Sequence, residues 1–302
     1  MRVTIQSRLD LCCQRCIVTT EPTSERENPM VSNAFLSQSY DAFGRIEEQF
    51  NEDLDQTLSP RGPEMLYELV AELSLPSGAY VLDVGCGEGS HTIELAKRFH
   101  LNVRGVDPVP RHIEIATRSL AEEAATDRGL ANTVVFELGT AEKLPVPAAA
   151  IDMVWCRDVL THVDDLAAVY AEIRRVLKPG GHALVYQMST TDRLEPREAA
   201  WLFPTMGCVP ENMEPAYAEA AIGAAGLQID RCLVLGSEWG EYAQERTGKG
   251  GRKLLRAARI TRDPDRFIQE FGQANYDIAL GDCLWHVYRL IGKLSDRVYL
   301  LS

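Results

Sequence analysis

The segment Tyr80-Val-Leu-Asp-Val-Gly-Cys-Gly-Glu-Gly-Ser-His runs from an apolar strand pattern through three glycines into a helix start. Gly85 permits a sharp turn, Gly87 lets a ligand approach the backbone, and Gly89 with Ser90 opens a helix whose free N–H groups face that ligand. In Arg104-Gly-Val-Asp-Pro a second strand ends on Asp107, where a carboxylate can accept both hydroxyl hydrogens of a ribose. Together they imply a nucleoside-like ligand lying across the turn. A dinucleotide site is spelled G-x-G-x-x-G, whereas Gly85-x-Gly87-x-Gly89 is one residue shorter. Asp83, two residues before the turn, can take the loop's N–H groups or a ligand ammonium, and would repel a pyrophosphate.

Such a loop needs a sheet and flanking helices to hold it. Strand-like runs occur at 79–84, 103–106, 134–138, 151–156 and 183–188, with helical periodicity at 90–98, 110–126 and 164–177 between them. This alternation predicts a doubly wound α/β fold, with a mostly parallel sheet covered on both faces. A helix over 215–225, a strand over 227–235, helical patterns through Leu294 and a last strand at 297–301 complete seven strands. The expected organisation is a disordered polar arm over 1–30, helices covering the ligand site over 31–60, and the main domain over 61–302. Helical cap insertions are expected at about 190–226 and 238–294.

The 302 residues are 45% hydrophobic and 25% charged, an ordinary globular composition, with a net charge of −13. That charge opposes nucleic acid and anionic membrane surfaces as partners. No uncharged apolar run reaches the ~20 residues of a membrane span, and the first residues lack a secretory core, so a cytoplasmic location is expected. The eight cysteines read as free thiols. Cys13 and Cys16 form one CxxC with no second ligand pair at a metal spacing, so no metal site is expected.

The motifs Val81-Leu-Asp-Val-Gly-Cys-Gly-Glu-Gly, Gly105-Val-Asp-Pro, Gly139-Thr-Ala-Glu-Lys-Leu-Pro, Ile151-Asp-Met-Val-Trp-Cys-Arg-Asp-Val-Leu-Thr-His-Val and Arg175-Val-Leu-Lys-Pro-Gly-Gly resemble, in order, those of class I S-adenosylmethionine-dependent methyltransferases, small-molecule branch. The resemblance covers roughly residues 60 to 190. It implies a Rossmann-like fold, S-adenosyl-L-methionine as cofactor and methylation of O, N or C of a small metabolite. It further implies that Asp83, Gly85, Cys86 and Gly87 hold the methionine part, Asp107 and Pro108 the ribose side, and Ala141 and Glu142 the adenine. Where the family often has an acid after the glycine of its third motif, this chain has Thr140. Arg157 resembles the position that exposes backbone to the cofactor, and Tyr40 the tyrosine of an N-terminal helix closing over it.

A sulfonium activates its own methyl group, so the protein chiefly aligns an acceptor and excludes water. An alcohol or acidic carbon also needs a base, for which His162 and Asp158, following the fourth strand, are the candidates; packing or capping explains them equally. Tyr186 ends the fifth strand, and Trp239 and Tyr242 sit among Glu238, Glu241 and Glu245, so these three are read as a substrate pocket. Lys249, Arg252, Lys253, Arg256, Arg259 and Arg262 gather on one helix side, either a solvated face or a hold for a substrate anion. Self-association stays open. An NAD(P)-dependent oxidoreductase and a non-catalytic cofactor-binding partner protein are the competing functional readings.

Overall fold

The computed structural model describes residues 33–57 and 59–302, so the CxxC and the polar arm lie outside the described residues. The chain divides into two compact units, Met1–Leu58 and Ser59–Ser302. In the first, a single helix α1 (Asn33–Thr57) stands where several short helices are expected, and Tyr40 lies on it.

The second unit opens with α2 (Glu64–Glu72) and then alternates: β1 (Tyr80–Val84), α3 (Ser90–Phe99), β2 (Asn102–Asp107), α4 (Pro110–Ala124), α5 (Leu130–Thr133), β3 (Val134–Leu138), β4 (Ile151–Arg157), α6 (Leu166–Val176) and β5 (Leu177–Thr190). Beyond these come α7 (Pro196–Thr205), α8 (Pro215–Ala224), β6 (Ile229–Gly236), α9 (Glu238–Thr247), α10 (Lys249–Ile260), α11 (Pro264–Phe271), α12 (Gln273–Leu290) and β7 (Leu294–Leu301). The seven strands form one sheet in the order β3-β2-β1-β4-β5-β7-β6, and β7 runs antiparallel to both its neighbours. The fold is thus doubly wound and mostly parallel, as the alternation predicts. β5 starts six residues earlier than its apolar run because Leu177 already pairs with Ile151, across a shift in register before Met153 pairs with His182.

Alternate side chains of each strand enter opposite cores. Val81, Met153, Trp155 and Leu184 pack under Met65, Leu69, Ile93 and Leu95 of α2 and α3. Leu82, Val154, Cys156 and Val185 pack under Val169, Tyr170, Ile173 and Ile222 of α6 and α8. Trp155 and Tyr170 are fully buried, each worth more than the ~1.5–3 kcal/mol of an aliphatic core residue. A satellite core joins Met188, Leu202, Phe203, Met213 and Leu294, with Trp201 packed against it. Among the described residues no helix is long and apolar enough to cross a membrane.

This sheet fixes where a ligand can sit. β1 pairs with β2 on one side and β4 on the other, so the chain reverses its winding between β1 and β4. The crevice beyond the carboxyl ends of strands at such a switch point is where doubly wound sheets bind ligands.

Candidate functional site

A crevice of about 700 Å³ opens at that switch point. Its wall takes Gly85 and Gly87 from the β1 turn, Asp107 and Pro108 from the end of β2, Thr140 to Glu142 after β3, and Arg157, Asp158 and His162 after β4. Five carboxylates line it, Asp107, Glu142, Asp158, Asp164 and Asp165, against one arginine, Arg157.

The glycine turn is pinned from below. The N–H groups of Gly85 and Cys86 both donate to the Val106 carbonyl, at 2.7 and 3.0 Å, and that of Gly89 donates to the Cys86 carbonyl at 3.0 Å. Gly85 has φ +72°, and a Cβ there would lie 2.1 Å from Cγ2 of Val159; Gly87 has φ +52° but a Cβ would meet nothing within 4 Å. The first glycine therefore makes room for packing, and the second keeps open space beside the crevice. Gly85→Ala is expected to cost about 2–5 kcal/mol, left-handed strain plus overpacking, and Gly87→Ala about 1–2 kcal/mol from strain alone. Urea midpoints of the two variants check this; equal losses would refute the division of roles.

Asp107 is nearly buried and heavily used. Its Oδ2 accepts from the Gly87 N–H at 3.0 Å, and its Oδ1 from the Val109 N–H at 2.9 Å and from His112 Nδ1 at 3.0 Å. Oδ2 keeps an acceptor position for a ligand hydroxyl, and a second opens when the part-exposed His112 turns away. The acid that ends β2 is thus set by the loop it serves. Sequence reading missed His112, although a histidine in the first turn of α4, five residues after the acid, is a visible signal.

Asp83 is placed elsewhere than expected. Its carboxylate is buried behind the turn, accepts from Thr92 Oγ1 at 2.6 Å and is not on the crevice wall. Burial pushes its carboxyl up to about 7, eased by Thr92 and by the charge of Arg157. Because the folded-state value is raised above the unfolded one, stability falls as pH rises from about 4, where the unfolded acid ionises, through 7. Asp83→Asn is expected to flatten that slope and to gain on the order of 2 kcal/mol relative to wild type between pH 4.5 and 8. Denaturant melts at the two pH values measure it; parallel losses would exclude a raised carboxyl.

The loop after β4 carries the base candidates. Asp158 sits at φ +58° and is exposed on the crevice wall; desolvation pushes its carboxyl up, against the pull of Arg157, Arg289 and His162. His162 Nδ1 lies 2.9 Å from the Gly207 carbonyl. A carbonyl only accepts, so Nδ1 carries a proton and, in the neutral ring, Nε2 holds the lone pair. The loop is held by the buried Asn212, whose Nδ2 donates to the Leu160 and Val163 carbonyls at 2.9 and 2.7 Å, and by a Val209 N–H bond to the Thr161 carbonyl at 2.8 Å. Nothing in the sequence marks Asn212, since its partners lie some fifty residues away.

Cys86 is buried, its thiol pushed well up by desolvation, and enters the crevice with neither sulfur nor side chain. Of the expected substrate pocket of Tyr186, Trp239 and Tyr242, none of the three lines the crevice. Tyr186 is fully buried, its hydroxyl bonded to Asp296 and to Arg289 Nη2 at 2.7 Å. Trp239 packs edge-on against it, centroids 4.5 Å apart, between the guanidiniums of Arg157 and Arg289 at 5.5 and 5.0 Å. Tyr242 packs over Gly62, where a Cβ would strike its ring at 2.5 Å. Acids beside aromatics in sequence belong here to helix-to-chain ties, as Glu238 with Arg61 demonstrates. Of the basic run, Lys253 turns inward to Asp282, while Arg252, Arg256 and Arg259 stand exposed away from the crevice wall.

Comparison with known proteins gives a consistent set of likenesses. The sequence family described as a methyltransferase domain matches residues 82–185. Phosphoethanolamine N-methyltransferase 1 of Arabidopsis thaliana is 26% identical over 225 residues, 74% of this chain and 42% of that protein. The 27-O-demethylrifamycin SV methyltransferase of Amycolatopsis mediterranei is 31% identical over 155 residues, 48% of this chain and 55% of that one. The chain thus spans less than half the length of the plant relative. The structure of geranyl diphosphate C-methyltransferase from Streptomyces coelicolor, solved with S-adenosyl-L-homocysteine, shares the fold with a TM-score of 0.54 at 17% identity, over 91% of this chain and 86% of that one.

Proposed function

We propose that this chain, a member of the class I S-adenosylmethionine-dependent methyltransferases by its fold and by the motif-bearing segment 82–185, transfers a methyl group from S-adenosyl-L-methionine to O, N or C of a small metabolite. The observation that carries this reading is the crevice itself, with five carboxylates and one arginine at the switch point of the sheet. A cationic sulfonium nucleoside suits that wall, whereas the diphosphate of a dinucleotide would face like charge on most sides. The oxidoreductase reading loses its ground there.

The residues fit the cofactor in three ways. Gly87 keeps open space beside the crevice, Asp107 retains acceptor capacity for a ribose, and Ala141 and Glu142 line the same crevice after the neighbouring strand β3. When bound, the cofactor supplies an electrophilic methyl group. What the protein adds is position and a proton acceptor: His162, whose neutral ring has its lone pair on Nε2, can take a proton from an alcohol or acidic carbon, and Asp158 stands four residues away on the same wall. Names of relatives, among them the phosphoethanolamine and rifamycin enzymes, support a small-molecule acceptor.

Incubation with methyl-labelled S-adenosylmethionine and a metabolite extract, followed by identification of the labelled product, tests the reading. A labelled small molecule is the expected result. Calorimetry showing no binding of S-adenosylhomocysteine would overturn it.

A further inference from the structure

We propose that the outer face of α10 docks on a bilayer surface that carries anionic lipid, its arginines meeting the headgroup phosphates and its two leucines entering the edge of the acyl layer.

The sides of α10 are arranged in reverse of a packed helix. Its inner side, against α12, holds Gly250, where a Cβ would lie 2.7 Å from Cδ2 of Leu290, the buried Ala257, and Lys253, which pairs with Asp282. Its two leucines are outside, Leu254 at 54% and Leu255 at 57% exposure. An amphipathic helix of a globular domain normally gives its leucines to the core and its charges to water. The next helix, α11, buries none of its residues. One exposed leucine on a surface is ordinary, but a helix whose inner side is glycine, alanine and an ion pair, and whose leucines stand outward, fits a second apolar medium.

Around those leucines the charge has one sign. From Lys249 to Arg262 there are six bases and no acid, whereas the other residues hold 25 bases and 44 acids. Arg252, Leu255, Arg256 and Arg259 fall at i, i+3, i+4 and i+7, so Leu255 lies within the basic stripe and Leu254 beside it. The three arginines are exposed, and none makes an ion pair with another described residue. Their counter-charge is left to whatever meets the face. Water would serve the arginines alone, yet it does nothing for a leucine set among them.

A lipid surface satisfies both at once. Guanidiniums bond phosphate oxygens in pairs, their stems lie along apolar neighbours, and leucines on the same side pass into the acyl boundary. A second copy of this chain suits the face less, because a two-fold interface would set arginines against arginines. The net charge of −13 opposes approach of the molecule as a whole, but at physiological salt that repulsion is screened beyond ~8 Å, whereas the stripe lies in contact. Whole-chain charge therefore excludes a membrane surface less firmly than the sequence reading implies.

Co-sedimentation of the full chain with vesicles tests this. Vesicles of phosphatidylcholine and phosphatidylglycerol in equal parts should retain it at least ~10-fold better than phosphatidylcholine alone, and ~0.5 M salt should release it. Changing Arg252, Arg256 and Arg259 together to Gln should lower the partition coefficient ~30- to 100-fold, and Leu254→Ser with Leu255→Ser ~10-fold. All five side chains are exposed, so thermal midpoints should stay with wild type. Where the triple variant does not melt cooperatively, Arg256→Glu is read in its place, with an expected ~10-fold loss.

Equal partition onto both vesicle types, no binding to either, or anionic binding that survives loss of the three arginines would overturn the proposal. Binding that falls with the arginines but not with the leucines would overturn it in favour of an acidic protein held by charge alone, and a dimer that the leucine variant dissolves would give the face to a second copy. These outcomes are independent of the methyltransferase reading, since the five residues stand off the crevice wall.

Discussion

Asp107→Ala is expected to weaken S-adenosylhomocysteine at least ~100-fold in calorimetry, because two charge-assisted hydrogen bonds to a ribose are each worth about 1.5–3 kcal/mol. The carboxylate has a second task that adds to the loss. It accepts from the Gly87 and Val109 N–H groups, so the variant also frees the two backbone segments that flank the ligand. Both donors border the open crevice and can turn to water, so the fold itself should lose little. Two further variants separate binding from loop order. Asp107→Asn keeps one carbonyl oxygen for a backbone donor but loses the charge, and should fall between wild type and alanine. His112→Ala removes a competing donor from Oδ1 and should leave affinity equal or slightly better. An affinity for Asp107→Ala within ~3-fold of wild type would remove the acid from the binding site and the motif reading with it.

That acid was legible because two local signals coincide: a period switch from strand to helix around three glycines, and a second strand ending on a carboxylate. Both are short-range features, and the turn's own hydrogen bonds, all to β2 or within the turn, keep them local in the fold. Parallel winding follows from the same alternation. The antiparallel direction of β7 does not, since it depends on where α9 to α12 return the chain. Asp83 was misplaced for a related reason. Its partner Thr92 comes from the first turn of α3, and the carboxylate's side of β1 is set by pleat and packing rather than by the motif. Tyr186, Trp239 and Tyr242 read as pocket because aromatics among acids look amphipathic, yet Glu238 spends its charge on Arg61, 177 residues away, and the Trp239 ring packs on a buried Tyr186–Asp296–Arg289 cluster.

His162→Ala is expected to lower the turnover number by ~10²- to 10³-fold on an alcohol or carbon acceptor while leaving S-adenosylhomocysteine affinity within ~2-fold. The geometry behind this is the bond to Gly207, which spends the Nδ1 proton on a carbonyl and leaves Nε2 as a base on the crevice wall. A capping or packing histidine would move stability and not the split between turnover and affinity, so the pair of measurements decides between the two roles. Asn212→Ala supplies an independent handle, because the Asn212 side chain acts on the loop by donating to the Leu160 and Val163 carbonyls. Its loss should lower turnover ~5- to 10-fold, and it should add almost nothing in the His162→Ala background, the signature of two residues acting through one position. A labelled-product rate that stays within ~3-fold in His162→Ala would exclude the base and point to an acceptor that attacks without one, such as a neutral amine or a phenolate, which need no proton removed in the transition state.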